Sequence, residues 1–475
     1  MNLDFLLSSV GIRGSFGKTE VTSVTENVKK VKKGSVFVAV KGSCTDGNCF
    51  IDEALLKGAV AVITDKAIER ENVIAVSDAR MILSFLCSAF YSHPQYRMKM
   101  IGITGTNGKT TTAEYLRHIL SFAGKRCAVI GTLGCRSAEY DSETGYTTPA
   151  PEILYKELKK LADNSVEYCI MEVSSQALAQ KRVAPIEFAL GIFTNIGTDH
   201  TDYHGSTEKY VNEKTKLFSL CGKTLINADD AYCQKFEEAS SEKALLYSAK
   251  GKYADYMAKN IRYTEDGVSY IILKNGMLER ISFAGAGDIA VYNTLAAAGA
   301  ADLLGVDFTV TAEAYKEPVQ VKGRLQKVYS SDFTVYVDYA HTPEALLAVL
   351  NALNNSKKNR LICVFGCGGE RDKSKREKMG AVSSAFADIT VLTTDNPRTE
   401  SPSDITEDIL KGIDDKKPVF LEPDRKKAIH LALQKACKGD IVLIAGKGHE
   451  EYQLLGGEKI YFSDELTVKE YLGVM

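Results

Sequence analysis

The chain has almost no net charge: 59 lysines and arginines stand against 61 aspartates and glutamates in 475 residues. Without a basic excess or stripe, nonspecific nucleic-acid binding is excluded as the main task, and any anionic ligand must be met by a local arrangement of donors. Long apolar runs are missing too. No stretch approaches the roughly 20 apolar residues that span a bilayer, and Met1-Asn2-Leu3-Asp4-Phe5-Leu6-Leu7 has neither the basic flank nor the apolar core of a secretory signal. A soluble, cytoplasmic protein is expected. Paired cysteine spacings are also absent. The 11 cysteines are scattered through apolar stretches such as Phe85-Leu86-Cys87, and Cys363 and Cys367 lack the two-residue spacing and the second pair of a structural zinc site. They read as reduced, buried thiols. No internal repeat or low-complexity tract interrupts the chain.

What is present is an alternation of strand and helix signals in three blocks. Domains of about 100–200 residues make several domains the natural division of a chain this long. Residues 1–98 read as a small α/β domain, with strand-like runs at 35–40, 59–64 and 73–76 and a helical stretch at 52–57. The proline in Ser92-His93-Pro94 marks its end. Residues 99–321 hold apolar strands at 100–104, 126–131, 168–173 and 190–195 alternating with helices, the pattern of a doubly wound parallel sheet. In residues 322–475 the alternation restarts, with strands at 333–338, 360–365, 389–393 and 441–445. The predicted fold class is α/β, with a small N-terminal domain, a central P-loop ATPase-like parallel-sheet domain and a C-terminal Rossmann-like domain.

The strand at 100–104 runs directly into Gly105-Thr106-Asn107-Gly108-Lys109-Thr110-Thr111-Thr112 and then into a helical stretch at 113–122. A glycine-rich turn between strand and helix aims backbone N–H groups and the helix N-terminus at phosphate oxygens, while Lys109 adds a charge and Thr110 a hydroxyl ligand for Mg²⁺. Neither Gly102 nor Gly105 stands at the spacing of the G-x-x-x-x-G-K-[ST] pattern. The loop predicts ATP or GTP binding, which kinases, ATPases and ligases share.

Further along, Glu172 closes the strand at 168–173 and is followed by Ser174 and Ser175. An acid at the C-terminal end of a strand neighbouring the phosphate loop is where a doubly wound sheet presents a metal ligand. The stretch Asn195-Ile196-Gly197-Thr198-Asp199-His200-Thr201-Asp202-Tyr203-His204 then crowds imidazoles and acids at another strand end, as a metal or phosphate site does.

Together with Asp338-Tyr339-Ala340-His341-Thr342-Pro343 and Gly446-Lys447-Gly448-His449-Glu450, these motifs stand in the order and spacing of the Mur ligases. The resemblance covers nearly the whole chain and is nearest to members that add the third residue of the muramoyl peptide. It implies an ATP-dependent, ADP-forming ligase of peptidoglycan synthesis, a monomer, that phosphorylates a peptide carboxylate and lets an amine attack the acyl phosphate. ATP contacts fall on Gly105 to Thr111, Asn293 and Arg324. Mg²⁺ falls on Thr110 and Glu172, with a second ion on His200, and Lys214 matches a carbamylated lysine. Lys109, Glu172, His200 and Lys214 are the implied catalytic set. The UDP-muramoyl dipeptide is expected along Ser43, Cys44, Thr45, Tyr146, Thr147, Thr148, Ser174, Gln180 and Arg182, where hydroxyls and a guanidinium suit pyrophosphate and carboxylate oxygens.

Asp395-Asn396-Pro397-Arg398 matches members that use meso-diaminopimelate. A second amino-acid carboxylate calls for a bidentate cation, which Arg398 supplies and which lysine as substrate would not need. Arg371, Gly446 and Glu450 complete that set, Glu450 suiting the distal ammonium. One stretch departs from the family: Asn27-Val28-Lys29 stands where the others read Asp-Ser-Arg, so the first domain is expected to hold its uridine end differently. A lysine-adding ligase or a paralogue with another acceptor is the alternative within the family. A nucleotide-binding regulatory module is the alternative outside it, and the Glu172, His200 and Lys214 set speaks against that.

Overall fold

The computed structural model describes residues 1–14, 16, 19–42, 45–197, 204–264 and 267–474, so Ser43, Cys44 and His200 lie outside the described residues. Within these the strands form three sheets and a hairpin. The first sheet is parallel and sequential: β1 (Ser23–Thr25), β2 (Ser35–Ala39), β3 (Ala61–Thr64) and β4 (Val73–Ala75). β2 and β3 are buried along their whole length, as unbroken apolar runs require. Helix Ala79–Phe90 starts at Asp78, whose carboxylate accepts from Met81 N, and packs on helix Pro151–Asp163 beyond the first sheet. One hydrophobic cluster therefore runs from Leu83 and Leu86 to Leu154 and Leu158.

The second sheet has eleven strands. Its parallel centre holds β5 (Lys99–Thr104), β6 (Cys127–Gly131), β9 (Tyr168–Glu172), β10 (Phe188–Phe193), β11 (Cys221–Asn227) and β12 (Leu245–Ser248), in the spatial order β12-β11-β10-β5-β9-β6. β5 thus lies between β9 and β10, and its C-terminal end opens beside both. Further strands extend the two edges: β7 (Gly134–Arg136) and β8 (Asp141–Ser142), antiparallel, beyond β6, and β13 (Tyr256–Thr264), parallel to β12, followed by β14 (Gly267–Lys274) and β15 (Met277–Phe283), each antiparallel to the strand before it. The sequence pattern predicts four strands of the parallel centre, β5, β6, β9 and β10, but not β11, β12 or the edge strands. The added strands are half-exposed and alternate in burial, so they lack the unbroken apolar runs that mark a parallel strand.

The third sheet holds β16 (Gln326–Ser330), β17 (Thr334–Asp338), β18 (Leu361–Phe365), β19 (Ile389–Leu392), β20 (Val419–Leu421) and β21 (Ile441–Ala445), in the order β16-β17-β21-β18-β19-β20. All pairs are parallel except β16 with β17. A hairpin of β22 (Tyr452–Leu455) and β23 (Glu458–Tyr461) follows. The architecture is the α/β class that the alternation predicts. The alanine-rich helix Gly287–Leu303 is buried along most of its length and joins the second and third sheets, packing on helices Lys109–Phe122 and Pro343–Asn354.

Candidate active site between the second and third sheets

The phosphate loop leaves β5 where β9 and β10 flank it, as the sheet order requires. Gly105 has φ +147°, and a Cβ there would stand 1.9 Å from Thr194 Oγ1, so only glycine lets the loop turn against β10. Asparagine and threonine side chains brace it: Asn107 N donates to Asn195 Oδ1 at 3.0 Å, Thr194 Oγ1 to Asn107 O at 2.6 Å and Gly197 N to Thr106 Oγ1 at 2.9 Å. The following helix begins at Lys109, not Ala113, because Gly108 caps it at φ +84° and threonines 110 to 112 enter its first turns. Its free N–H groups face the loop, as in phosphate sites.

Two ammonium groups converge on this loop. Lys109 Nζ donates to Gly105 O at 2.9 Å and Thr106 O at 2.8 Å, and Lys214 Nζ donates to the same Gly105 O at 2.8 Å. Lys214 is only 2 % exposed, on helix Thr207–Thr215, with its Nζ 4.6 Å from the Tyr210 ring centroid. An exposed helix lysine would carry no such meaning; burial beside a phosphate loop does.

Glu172 ends β9 fully buried. Its Oε2 accepts from Thr110 Oγ1 at 2.9 Å and Thr132 Oγ1 at 3.2 Å, and its Oε1 from Thr132 N at 2.8 Å. A hydroxyl and a carboxylate oxygen this close form a hard-oxygen pair of the kind that holds Mg²⁺ with phosphate oxygens and water, so these residues fit that ion. Among the described residues no group of three or more His, Cys, Asp or Glu gathers as a metal site, here or elsewhere. His204, from the crowded stretch, bonds Ser175 Oγ at 3.0 Å through Nε2.

A cavity of about 900 Å³ opens from the loop and is lined by Thr106, Asn107, Gly108, Lys109, Thr110, Thr111, Asn293 and Arg324. Asn293 Oδ1 accepts from Thr112 Oγ1 at 3.3 Å, while its buried Nδ2 has no partner among the described residues. Arg324 crosses from the third block, donating to Thr110 Oγ1 at 3.3 Å while its guanidinium lies 4.5 Å from the Tyr339 ring centroid. Asp338 fixes its turn by accepting from Leu325 N and Ala340 N, and burial raises that carboxyl above its ordinary range. The turn presses against His449: a Cβ on Gly323, at φ +66°, would stand 2.1 Å from His449 N. Burial, then Arg324, Lys322 and Lys447, push the His449 imidazole down to about 3, so it is neutral at pH 7.

A second cavity, about 1170 Å³, shares Thr132, Thr147, Tyr339 and His341 with the first. Tyr146 and Thr147 line its inner side, and Thr147 Oγ1 lies 3.1 Å from Thr132 Oγ1. From there a hydrogen-bonded strip leads away: Thr148 Oγ1 to Glu172 O at 2.8 Å, Ser174 N to Thr148 Oγ1 at 3.0 Å, Arg182 Nη1 to Thr148 O, and Arg182 Nη2 to Gln180 Oε1 at 2.7 Å. Thr148, Ser174, Gln180 and Arg182 line neither cavity; they form a path toward the first sheet, where burial raises the Glu26 carboxyl against the partial opposition of Arg80 and Arg182. Thr45 is exposed on the first block. Val28 packs against the cluster of Val31 and Phe37, so an apolar contact stands where the family carries a hydroxyl.

Arg371, Asp395, Asn396, Arg398, Gly446 and Glu450 line the other side of the second cavity. Pro397 does not line it; its carbonyl accepts from Glu400 N at 3.0 Å and so shapes the turn. Arg398 takes a left-handed φ of +56°, a conformation that a non-glycine residue holds at a cost of about 1–3 kcal/mol where its surroundings impose it. Backbone bonds hold it on both sides, Arg398 N donating to Leu454 O at 3.1 Å and Gly456 N to Arg398 O at 3.0 Å, while the buried Arg376 ties the residues that follow by donating to both oxygens of Glu400 at 2.8 Å and to Asp408 at 3.0 Å. Sequence reasoning missed Thr132 and His449 as site residues. Thr132 follows the end of β6, next to β9 in the sheet, and that position was its only signal.

Two family models match the chain. The Mur ligase middle domain matches residues 103–301, and the Mur ligase glutamate ligase domain matches residues 323–448. A protein of Caldanaerobacter subterraneus subsp. tengcongensis named UDP-N-acetylmuramoyl-L-alanyl-D-glutamate--2,6-diaminopimelate ligase is 40% identical over 459 residues, 95% of each chain. Its namesake in Aquifex aeolicus is 41% identical over 462 residues, 97% of this chain and 95% of that one. A solved structure of a ligase of the same name superposes with a TM-score of 0.73 at 30% identity, covering 100% of this chain and 99% of that one. The folylpolyglutamate synthase of Mycobacterium tuberculosis, solved with ADP and AMPPCP, shares the fold at a TM-score of 0.64 and 16% identity, over 76% of this chain and 91% of that one.

Proposed function

The chain belongs to the Mur ligase family, and on that premise we propose that it joins meso-diaminopimelate to UDP-N-acetylmuramoyl-L-alanyl-D-glutamate, driven by ATP, in peptidoglycan synthesis. The observation that carries this reading is the pairing of the two cavities. The phosphate loop and Glu172 border one, Arg398 and Glu450 line the other, and Thr132, Thr147 and Tyr339 border both. An acceptor carboxylate at that junction would meet a nucleotide on one side and an amine on the other.

A carboxylate resists an amine because its oxygen is a poor leaving group. Transfer of the γ-phosphoryl group breaks the bond to the β-phosphate oxygen, releases ADP and forms an acyl phosphate. The amine then attacks the acyl carbon, phosphate leaves with the C–O bond pair, and the amine loses a proton. The loop N–H groups and Lys109 offset charge during the first transfer, and Arg324 reaches the same phosphates from the third block. Mg²⁺, held by Thr110 and Glu172, supplies further charge neutralisation when bound; a second ion would draw on His200. Lys214 carries a carbamate in this reading. That group keeps one N–H for Gly105 O and turns a cation at the loop into an anion that suits a cation-rich site. Asn293 lines the first cavity and is the residue suited to an adenine contact.

In this scheme residues 1–98 hold the uridine end, 99–321 the ATP and 322–475 the amino acid. The acceptor extends from Tyr146, Thr147 and Thr148 along Ser174, Gln180 and Arg182 toward Thr45, with Ser43 and Cys44 beyond the described residues. Residues of one chain line both cavities, so a monomer suffices. The site suits a cytoplasmic enzyme, and no described helix is long and apolar enough to cross a membrane.

Diaminopimelate is favoured over lysine by Arg398, whose strained backbone holds a guanidinium at the cavity. Replacing Arg398 with alanine is expected to raise the KM for diaminopimelate by about a hundredfold, the scale of a lost charge-assisted pair, with the KM for ATP within about twofold. Equal rises in both would refute that role.

A further inference from the structure

The loops after β19 and β21 face each other across the second cavity, and one buried ammonium joins them. Lys447 is 0 % exposed. Its Nζ donates to Asn396 Oδ1 at 3.2 Å and Glu450 Oε2 at 3.1 Å, and lies 5.3 Å from the Tyr452 ring centroid. Asn396 closes the triangle, donating through Nδ2 to the same Glu450 Oε2 at 3.0 Å and accepting Leu454 N on Oδ1 at 3.0 Å. Leu454 O in turn accepts from Arg398 N at 3.1 Å.

We propose that Lys447 is a positioning residue for amino-acid selection: it fixes Glu450 so that the carboxylate meets the distal ammonium of the incoming amino acid, without itself touching that amino acid. An ammonium has three donors and no acceptor. It therefore turns Asn396 so that Oδ1 faces Lys447, which leaves Nδ2 for Glu450. Two donors then occupy Glu450 Oε2, which leaves Oε1 for a ligand in the cavity that Glu450 and Tyr452 both line. A buried cation stays where its acceptors are, because leaving it unpaired is costly. The carboxylate is thus set in place before the amino acid arrives, which spares the ordering cost on binding.

The inference rests on the diaminopimelate reading, and the test separates the two. The full-length enzyme is assayed with diaminopimelate and with 2-aminopimelate, which keeps both carboxylates but lacks the distal amine. A site built to bond that amine discriminates against the analogue by orders of magnitude. In Lys447→Met the ratio of the two kcat/KM values should collapse at least about tenfold, while the KM for ATP stays within about twofold. In Glu450→Gln the ratio should also collapse, and adding Lys447→Met should change it no further, as expected of residues that act as one unit. Lys447→Gln, which keeps a donor without the charge, gives the same readout if the methionine variant does not fold. A ratio that stays at the wild-type value in a folded Lys447 variant overturns the proposal, whatever happens to total activity. Failure of both variants to fold assigns Lys447 to stability and also overturns it. Wild-type enzyme that does not prefer diaminopimelate overturns the amino-acid reading itself, and the inference falls with it.

Discussion

At the scale of single residues, burial decides which charged groups carry chemistry. Apart from the family resemblance, nothing local in the sequence distinguishes Lys214 from Lys216, which is exposed and paired with Glu213. The fold separates them by placing Lys214 under the phosphate loop. Lys214→Ala is expected to lower ADP formation by at least about a hundredfold, the scale of one lost electrostatic group in an active site. Full activity without added short carboxylic acids or bicarbonate would contradict its role. His449 gives a pH prediction. Its folded value, about 3, lies below its ordinary 6.5, so as the pH falls through 6.5 the unfolded chain takes up a proton that the folded chain refuses. Its contribution to stability is complete above 6.5 and is lost progressively toward 3. Thermal unfolding at pH 7 and pH 5 should show a larger drop in Tm for the wild type than for His449→Gln, and equal drops would refute the assignment.

At the scale of elements, local signals were legible and contacts between distant segments were not. The phosphate loop could be read because strand, glycine turn and helix are consecutive, and Glu172 because a strand end next to that loop has a defined place in a parallel sheet. Thr132 could not, because its role depends on β6 pairing with β9. The edge strands from β13 to β15 also escaped, since half-exposed strands carry little apolar pattern. The third sheet shows what holds such distant segments together. Arg425 and Asp464 are both buried, with Nε and Nη2 donating to the two carboxylate oxygens at 2.8 Å and Nη2 also to Ala445 O at 3.0 Å, just before Gly446. Breaking a buried pair on one side costs about 3–5 kcal/mol, whereas replacing both partners with apolar residues often costs little. Arg425→Leu should therefore lower stability in denaturant titrations by that amount, and adding Asp464→Leu should recover most of it. A double variant no more stable than the single one would contradict this account.

At the scale of the whole molecule, the site exists only where the second and third blocks meet. Arg324 on Thr110 and the helix Gly287–Leu303 against helix Pro343–Asn354 join the blocks around the first cavity. The motifs were readable within each block, yet their convergence depends on packing that brings Thr132 and Thr147 to Tyr339, more than a hundred residues away in sequence. The central claim, that this junction forms an amide bond between a UDP-muramoyl dipeptide and diaminopimelate, is tested most directly by incubating the enzyme with UDP-N-acetylmuramoyl-L-alanyl-D-glutamate, ATP and a panel of amino acids, and weighing the products by mass spectrometry. The account predicts a UDP-muramoyl tripeptide with meso-diaminopimelate, little with lysine, and phosphate release only when both acceptor and amine are present; no tripeptide with any amino acid, or phosphate release without the amine, would contradict it.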